Sequence, residues 1–580
     1  MCAKASFATL PTEIMKQIIQ SMEEDKNALL ELQLTCQRSS QIARKVFYKT
    51  VDIIDGGDRT PLLVRTLQSN TSIAHLVEEI LFNDGSFYHD DISLTTIIPL
   101  CPHLKIVAHG YECTTNYYTE LLRLYRDGHL QEIERIGDPR PNFYGINIFS
   151  LDYNDLVVEM KKSITSLYAT EFTNYSLIKN LKDFTHVRDI EVQSYSGISL
   201  IQVNKLLYGE YPRLKTIFVS NAVIPTDQQQ AALDNLYSNI SVMPQVEYLS
   251  IDFQVFSMLD LQLIMHMFPN LKKLDLNQVS AYALISKAFI ADGKYLKAVI
   301  CKFFSYLSHM DTFYAGRIQL STDMLFASIS NVAKTFRVCT SVSIELSWTH
   351  TVELHELTIK SKKHMSVAIE IILGRYQWTE TFYNRLFSIL AKEVDPLKVN
   401  ILCSSGLNQQ KRLLGGYIDS LIQFRHLNSL SMDSLPIGML PMEVTKRIMK
   451  FNQLSISCCD LHPDFLLQMS QRIVFINKLE MDGNKKVNTI TGSDEEFMLL
   501  HMPFTTFKAI DIWNYGHGRV NYIVKICLSS CITVFYVDKE GKNTKLTSDN
   551  YAQFKARFLE FIINCADLSF LKINGEVFEL

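Results

Sequence analysis

Three stretches of the chain echo one another, CPHLKIV from Cys101, YPRLKTIFV from Tyr211 and FPNLKKLDL from Phe268, and MPQVEYLSI from Met243 is a looser copy. Each sets an apolar residue before a proline and an alternating apolar run after it. Proline lacks an amide hydrogen and its ring blocks helix continuation, so a helix stops there, while the alternation suits a strand with one buried face. Pro-x-Leu-Lys occurs three times among 15 prolines, more often than composition alone provides. A recurring helix-to-strand junction is a strong constraint on the fold, because each such unit is too small to bury its own apolar face and must stack on its neighbours.

An apolar-x-x-apolar-x-apolar core begins at Val77, Leu104, Leu130, Ile164, Val187, Leu214, Val246, Leu271 and Leu296, with spacings of 27, 26, 34, 23, 27, 32, 25 and 25 residues. The spacing resembles that of leucine-rich repeats, one strand and one helix per coil. With 47% hydrophobic residues such a core recurs by chance at about one position in ten, so the spacing and the proline prefix carry the inference. The cores at Leu104 and Leu130 lack their last apolar position, which holds His109 and Arg135. Further cores begin at Leu354, Leu427, Ile476, Phe507, Ile532 and Leu568, extending the array toward the C-terminus. Between about residues 302 and 420 the register is poor, and irregular coils, an inserted loop and a break between two halves all remain open. The Asn or Cys that usually follows a leucine-rich strand is replaced by Tyr195, Ala222, Gln254 and Val279, so the backbone there needs other hydrogen-bond partners.

The chain has 580 residues, too many for one ordinary domain, which fits several domains or a repeat array. Hydrophobic residues at 47% and charged residues at 20% exclude wholesale disorder, a coiled-coil rod and a collagenous fibre. A formal charge of -4 argues against a dedicated nucleic-acid or membrane-surface binder. Gly 22 and Pro 15 leave little material for flexible linkers. The start MCAKASFATL lacks the features of a secretory signal, so the 12 cysteines are expected as free thiols in a reducing compartment and the sequons at Asn70, Asn174 and Asn239 as unused. The run Tyr522 to Val537 is interrupted by Lys525, Ser529 and Ser530 and is too short to span a membrane.

Residues 10 to 22 place Ile14, Ile18 and Met22 on one helical face behind Pro11, and the segment from Ala28 carries Leu29, Leu32, Cys36, Ile42, Val46 and Phe47 for two more short helices. Leu10-Pro11-x-Glu13-Ile14 with Ile18 and Ile19, then Leu32-x-Leu34-x-Cys36-x-Arg38, Ile42-Ala43 and Phe47-Tyr48, resembles an F-box over about residues 7 to 52. Ser39 or Ser40 stands where that family commonly has Trp, and the connection at residues 23 to 27 is fully polar. The competing reading is that LPTEI merely starts an ordinary helix.

Motifs of nucleotide binding, zinc proteolysis and serine hydrolysis are absent from the sequence. Cys458-Cys459-Asp460 with His462 offers ligand types without a tetrahedral set, and buried thiols beside a loop are the simpler reading. Cys527 and Cys531 suit core positions. Trp513 to Arg519, WNYGHGR, mixes aromatic and basic groups but directly follows a strand, which favours a loop at a repeat edge over base stacking.

Sequence therefore predicts an α/β solenoid, a leucine-rich-repeat horseshoe over residues 56–580, preceded by a small three-helix F-box domain over residues 1–55. The resemblance implies the substrate-recognition subunit of a Skp/cullin/F-box ubiquitin ligase, with no catalytic residue, metal or cofactor of its own. Its implied partners are a Skp-type adaptor, through it a cullin, and an unidentified target protein, with no nucleic acid and no membrane, in the cytoplasm or nucleus. Leu10, Pro11, Ile14, Ile18 and Leu32 are the expected adaptor anchor. Asp189, Glu191, Thr216, Phe218, Tyr248, Ser250, Lys273 and Asp275 are expected to point outward to hold the target, alternating with Ile190, Ile217, Leu249 and Leu274 in the core. The alternative is a non-catalytic repeat scaffold without a ligase role, which adaptor binding separates. An RNA-binding solenoid would need a basic stripe, and Asp189, Glu191, Asp275, Glu480 and Asp511 among Lys273, Lys478 and Lys572 do not supply one.

Overall fold

A computed structural model describes residues 10–54, 59–83, 94–109, 117–137, 150–170, 177, 181–207, 211–222, 240–253, 258–278, 293–336, 339–346, 355–362, 367–373, 379–403, 418–419, 421–422, 424–440, 450–462, 464–482, 499–513, 521–538, 542–555, 559–574 and 576–579. The chain forms two compact units, one of Met1–Leu271 with Val279–Ala283 and one of Lys272–Gln278 with Leu284–Leu580.

The first unit begins with three helices, α1 (Thr12–Gln20), α2 (Lys26–Gln33) and α3 (Gln37–Lys49). The Asp25 side chain accepts a hydrogen bond from the Ala28 amide at 3.0 Å and so caps α2. Cys36 and Ser39 cap α3 reciprocally, the Cys36 amide donating to Ser39 Oγ at 3.3 Å and the Ser39 amide to Cys36 Sγ at 3.5 Å. Ser39 thus holds a helix start. Met15, Ile19, Leu29, Ala43 and Val46 form a small core, with Met22, Leu32, Ile42 and Phe47 packed on it. Helix α1 therefore buries the face one residue round from Ile14 and Ile18.

Eight strands follow: β1 (Thr50–Ile54), β2 (Glu79–Asn83), β3 (Ile106–His109), β4 (Arg135–Ile136), β5 (Ser166–Thr170), β6 (Asp189–Ile198), β7 (Thr216–Ala222) and β8 (Tyr248–Phe253). Pairing is parallel from β1 to β4 and from β5 to β8. Just before each strand, one amide donates to the carbonyl at the same place in the previous step. Glu78 reaches Lys49, Lys105 reaches Glu78, Glu134 reaches Lys105, Thr165 reaches Glu134, Arg188 reaches Thr165, Lys215 reaches Arg188 and Glu247 reaches Lys215, all at 2.7 to 2.9 Å. This ladder also spans the step from β4 to β5. Val77, Leu104, Ile164, Val187, Leu214 and Val246 are all buried two residues before a strand, as their spacing predicts, whereas before β4 the equivalent position is the buried Ile133, three residues after the expected Leu130.

Two tyrosine hydroxyls bond to main-chain groups at or beside strands. Tyr118, on the helix Tyr117–Arg126, donates its hydroxyl to the Gly137 carbonyl at 3.1 Å, and His109 Nε2 lies 3.0 Å from the Tyr118 hydroxyl oxygen. Tyr153, on the helix Ser150–Glu159, accepts from the Tyr168 amide at 3.0 Å. A Cβ on Gly137 would meet His109 Cδ2 at 2.8 Å, so this close approach requires glycine.

In the second unit, β9 (Lys273–Gln278) pairs in parallel with β10 (Thr312–Leu320). Then β12 (His355–Lys362) runs antiparallel to β10 and to β13 (Val367–Leu373), while β11 (Cys339–Leu346) runs parallel to β13 and to β14 (Lys398–Cys403). The poor register after residue 302 coincides with this change of strand direction. Parallel pairing continues through β15 (Ser429–Asp433), β17 (Phe451–Ser457), β19 (Phe475–Asp482) and β20 (Leu499–Trp513), with β16 (Pro436–Ile437) and β18 (Asp460–Leu461) forming a separate pair. Finally β20 pairs in parallel with β24 (Leu559–Leu568) and β25 (Leu571–Ile573), while β21 (Tyr522–Cys527), β22 (Ile532–Val537) and β23 (Asn543–Lys545) form antiparallel hairpins.

Two sequence expectations are corrected here. Leu296 does not open a strand but lies in the helix Gly293–Leu307. Ile532 is not a core position, since it starts an antiparallel strand and is 65% exposed. Leu354 lies outside the described residues, whereas Leu427, Ile476, Phe507 and Leu568 are buried. Among the described residues no helix is long and apolar enough to cross a membrane.

A buried ion pair joins distant parts of this unit: Arg472 Nε donates to Asp419, and Arg472 Nη1 donates to the Gln468 carbonyl at 2.9 Å. Gln468 in turn accepts the Leu440 amide at 2.6 Å. Removing one member leaves a desolvated charge, so Asp419→Ala should lower unfolding free energy by about 3 to 5 kcal/mol in chemical denaturation. Leu249, fully buried on β8, should cost about 2 to 5 kcal/mol when cut to Ala, read as a lowered denaturation midpoint.

Candidate protein-docking surfaces

On the three-helix unit, Ile14 and Ile18 are 43% and 38% exposed although they sit beside an apolar core. Pro11 is exposed and Leu10 partly so. Arg38 fixes this end of α1, with Nη1 donating to the Leu10 carbonyl at 3.0 Å and Nη2 reaching Thr12 Oγ1. Leu32 is partly buried and packs against the small core. Leu30 and Leu34 were not expected and are exposed, Leu34 at 88%. Their spacing of four along one helical face was the available signal.

The second surface is a sheet face. On β6, β7 and β8 the residues Asp189, Glu191, Thr216, Phe218, Tyr248 and Ser250 are partly exposed, while Ile190, Ile217 and Leu249 between them are buried. Cross-strand register aligns Asp189 with Thr216 and Tyr248, and Glu191 with Phe218 and Ser250. The rings of Phe218 and Tyr248 meet edge to face, with centroids 5.2 Å apart and planes at 80°. Asp252 extends the outward alternation on β8, a position legible in the sequence and not singled out. Lys273 and Asp275 also flank a buried Leu274, but on β9 of the second unit.

The second unit has its own outward polar row. Glu480 pairs across strands with Ser455 and Asp511, and Asp511 with Lys572. Burial opposes ionisation of Glu480, but hydrogen bonds from Lys478, Ser455 and Gln453 hold its carboxyl below the usual range. The Lys572 ammonium lies 4.9 Å over the Trp513 ring, and residues 514–519 lie outside the described residues.

Cys459 is buried, its thiol 3.2 Å from the Ser457 carbonyl, and burial pushes it up to about 12. Such a thiol is a poor ligand or nucleophile because the reactive form is the thiolate. Cys458 is exposed on a left-handed residue (φ 50°). Cys531 is exposed and Cys527 partly so, which corrects their expected core placement. Among the described residues no group of three or more His, Cys, Asp or Glu is placed to hold a metal ion.

Because outward side chains contribute little to the core, Phe218→Ala and Tyr248→Ala should each shift the denaturation midpoint far less than Leu249→Ala, by about 1 kcal/mol or less in the same titration.

No protein-family model matches the chain and a search of curated proteins finds no match, so the functional reading rests on the residues themselves.

Proposed function

We propose that this chain is the substrate-recognition subunit of a Skp/cullin/F-box type ubiquitin ligase. In this reading the three N-terminal helices are an F-box that docks on a Skp-type adaptor and through it a cullin. The recurring parallel strands are turns of a leucine-rich-repeat-like solenoid whose outward face holds the target protein. The chain carries out no bond chemistry. It raises the local concentration of the target beside a ubiquitin-loaded conjugating enzyme, making the transfer effectively intramolecular.

The observation that carries this reading is the exposure of Ile14 and Ile18 next to a core that had room for their neighbours Met15 and Ile19. Exposed aliphatic side chains on a small helical unit are favoured where a partner covers them. The F-box-like motif supports the same assignment, with Arg38 tying Leu10 to α3.

Capture of purified Skp-type adaptor by the full chain tests it. Leu10→Ala with Pro11→Ala, or Ile14→Asp alone, should weaken adaptor binding by at least about tenfold at unchanged helical content. Full binding by both variants, or no adaptor binding by the unaltered chain, would reject the assignment and favour a repeat scaffold without a ligase role.

A further inference from the structure

The N-terminal edge of β5, β6 and β7 gathers more positive charge than the surrounding fold neutralises. The backbone ladder sets Thr165, Arg188 and Lys215 at the same place on successive steps, the Arg188 and Lys215 amides each donating to the preceding carbonyl at 2.7 Å. Two residues earlier on the same steps stand Ser163, His186 and Arg213. Arg188, Arg213 and Lys215 are exposed. Arg213 Nη1 donates to His186 Nδ1 at 2.6 Å and Lys215 Nζ to Glu247 at 2.6 Å, so each cation keeps further N–H groups that no described residue accepts. Among the described residues the Arg188 side chain makes no hydrogen bond or ion pair, its neighbour Asp189 included. Lys162 and Lys182, exposed in the turns that lead into β5 and β6, are unpaired in the same sense, and Asp183 between them and the strand is taken by Lys161 at 3.2 Å. Glu134, one step before Thr165, and Glu247, one step after Lys215, close the basic run at both ends.

We infer that this edge binds a phosphoryl group. The inference goes beyond the ligase reading and does not rest on it. Neighbouring steps of a sheet lie about 4.8 Å apart, so the long side chains of Arg188, Arg213 and Lys215 can converge on one anion. The planar guanidinium fork matches phosphate oxygens in pairs, and the ammonium adds a point charge. His186 accepts from Arg213 through Nδ1, so its ring proton sits on Nε2 and supplies one more donor. A phosphoryl group carries close to two charges and three acceptor oxygens, which answers several cations at once, whereas a carboxylate offers one charge and two oxygens. The basic run is only three steps long, about 10 Å. A nucleic-acid backbone following the ladder would meet Glu134 at one end and Glu247 at the other, and like charge there opposes it, while a compact dianion fits between them.

Fluorescence anisotropy of the full chain with a labelled glycine–serine peptide carrying one phosphoserine, set against its unphosphorylated form, tests this at an ionic strength of about 0.15 M. The phosphopeptide should bind at least about tenfold more tightly than the plain peptide, and inorganic phosphate should displace it. A phosphopeptide bound at least about tenfold more tightly than inorganic phosphate assigns the phosphoryl group to a modified protein side chain, and a smaller margin assigns it to free phosphate or a small ester. Arg188→Gln and Arg213→Gln should each weaken phosphopeptide binding by about fivefold or more at an unchanged thermal midpoint. Arg135→Gln, which removes an exposed cation from β4, should leave it unchanged. Equal binding of the two peptides, tighter binding of a hexauridylate probe than of the phosphopeptide, or unaltered binding by both Arg188→Gln and Arg213→Gln overturns the inference. Should one of these variants lower the thermal midpoint, the other decides, and should both, the preference of the unaltered chain for the phosphopeptide decides. Adaptor capture reads a different surface, so failure of either experiment leaves the other reading standing.

Discussion

The first unit depends on a hydrogen-bond ladder made entirely by backbone. Seven successive steps from Lys49 to Glu247 join amide to carbonyl at the same place before each strand. Unpaired buried amides and carbonyls are costly, so each step specifies where the next strand must start. Side chains then only need to keep the alternation, with residues such as Ile190, Ile217 and Leu249 inward. Spacings between strands vary, because the ladder constrains the strand start and leaves the return segment free.

The ladder also explains the character of the outward face. A residue in its middle, such as Thr216 or Phe218, has its backbone satisfied by both neighbours whatever its side chain. The edge-to-face contact of Phe218 with Tyr248 links two neighbouring strands on this face.

Much of this was legible in the sequence, and the failures have physical causes. The anchors Val77, Leu104, Ile164, Val187, Leu214 and Val246 were found because a buried position two residues before a strand is almost obligatorily aliphatic, whereas before β4 that position is Ile133 and the pattern settles three residues early on Leu130. Leu296 failed because a helix and a strand can both satisfy a short apolar pattern, and the helix Gly293–Leu307 prevails over fifteen residues. Ile532 failed because the alternation does not reveal strand direction, and the first residue of a hairpin strand need not be buried. Helix α1 has apolar side chains on two adjoining faces, so periodicity cannot say which pair, Ile14 and Ile18 or Met15 and Ile19, faces the core. The tyrosine contacts to Gly137 and Tyr168 join groups 15 to 19 residues apart through tertiary geometry, which no local pattern encodes.

A scaffold held by main-chain bonds is tolerant of sequence drift. Substitutions on its outer face leave the ladder intact, and even inward positions ask only for an aliphatic residue of suitable volume. Lineages carrying such a scaffold can therefore diverge in recognition surface much faster than in architecture. Kinship between them would persist in the rhythm of buried aliphatics and strand starts long after residue identity had faded.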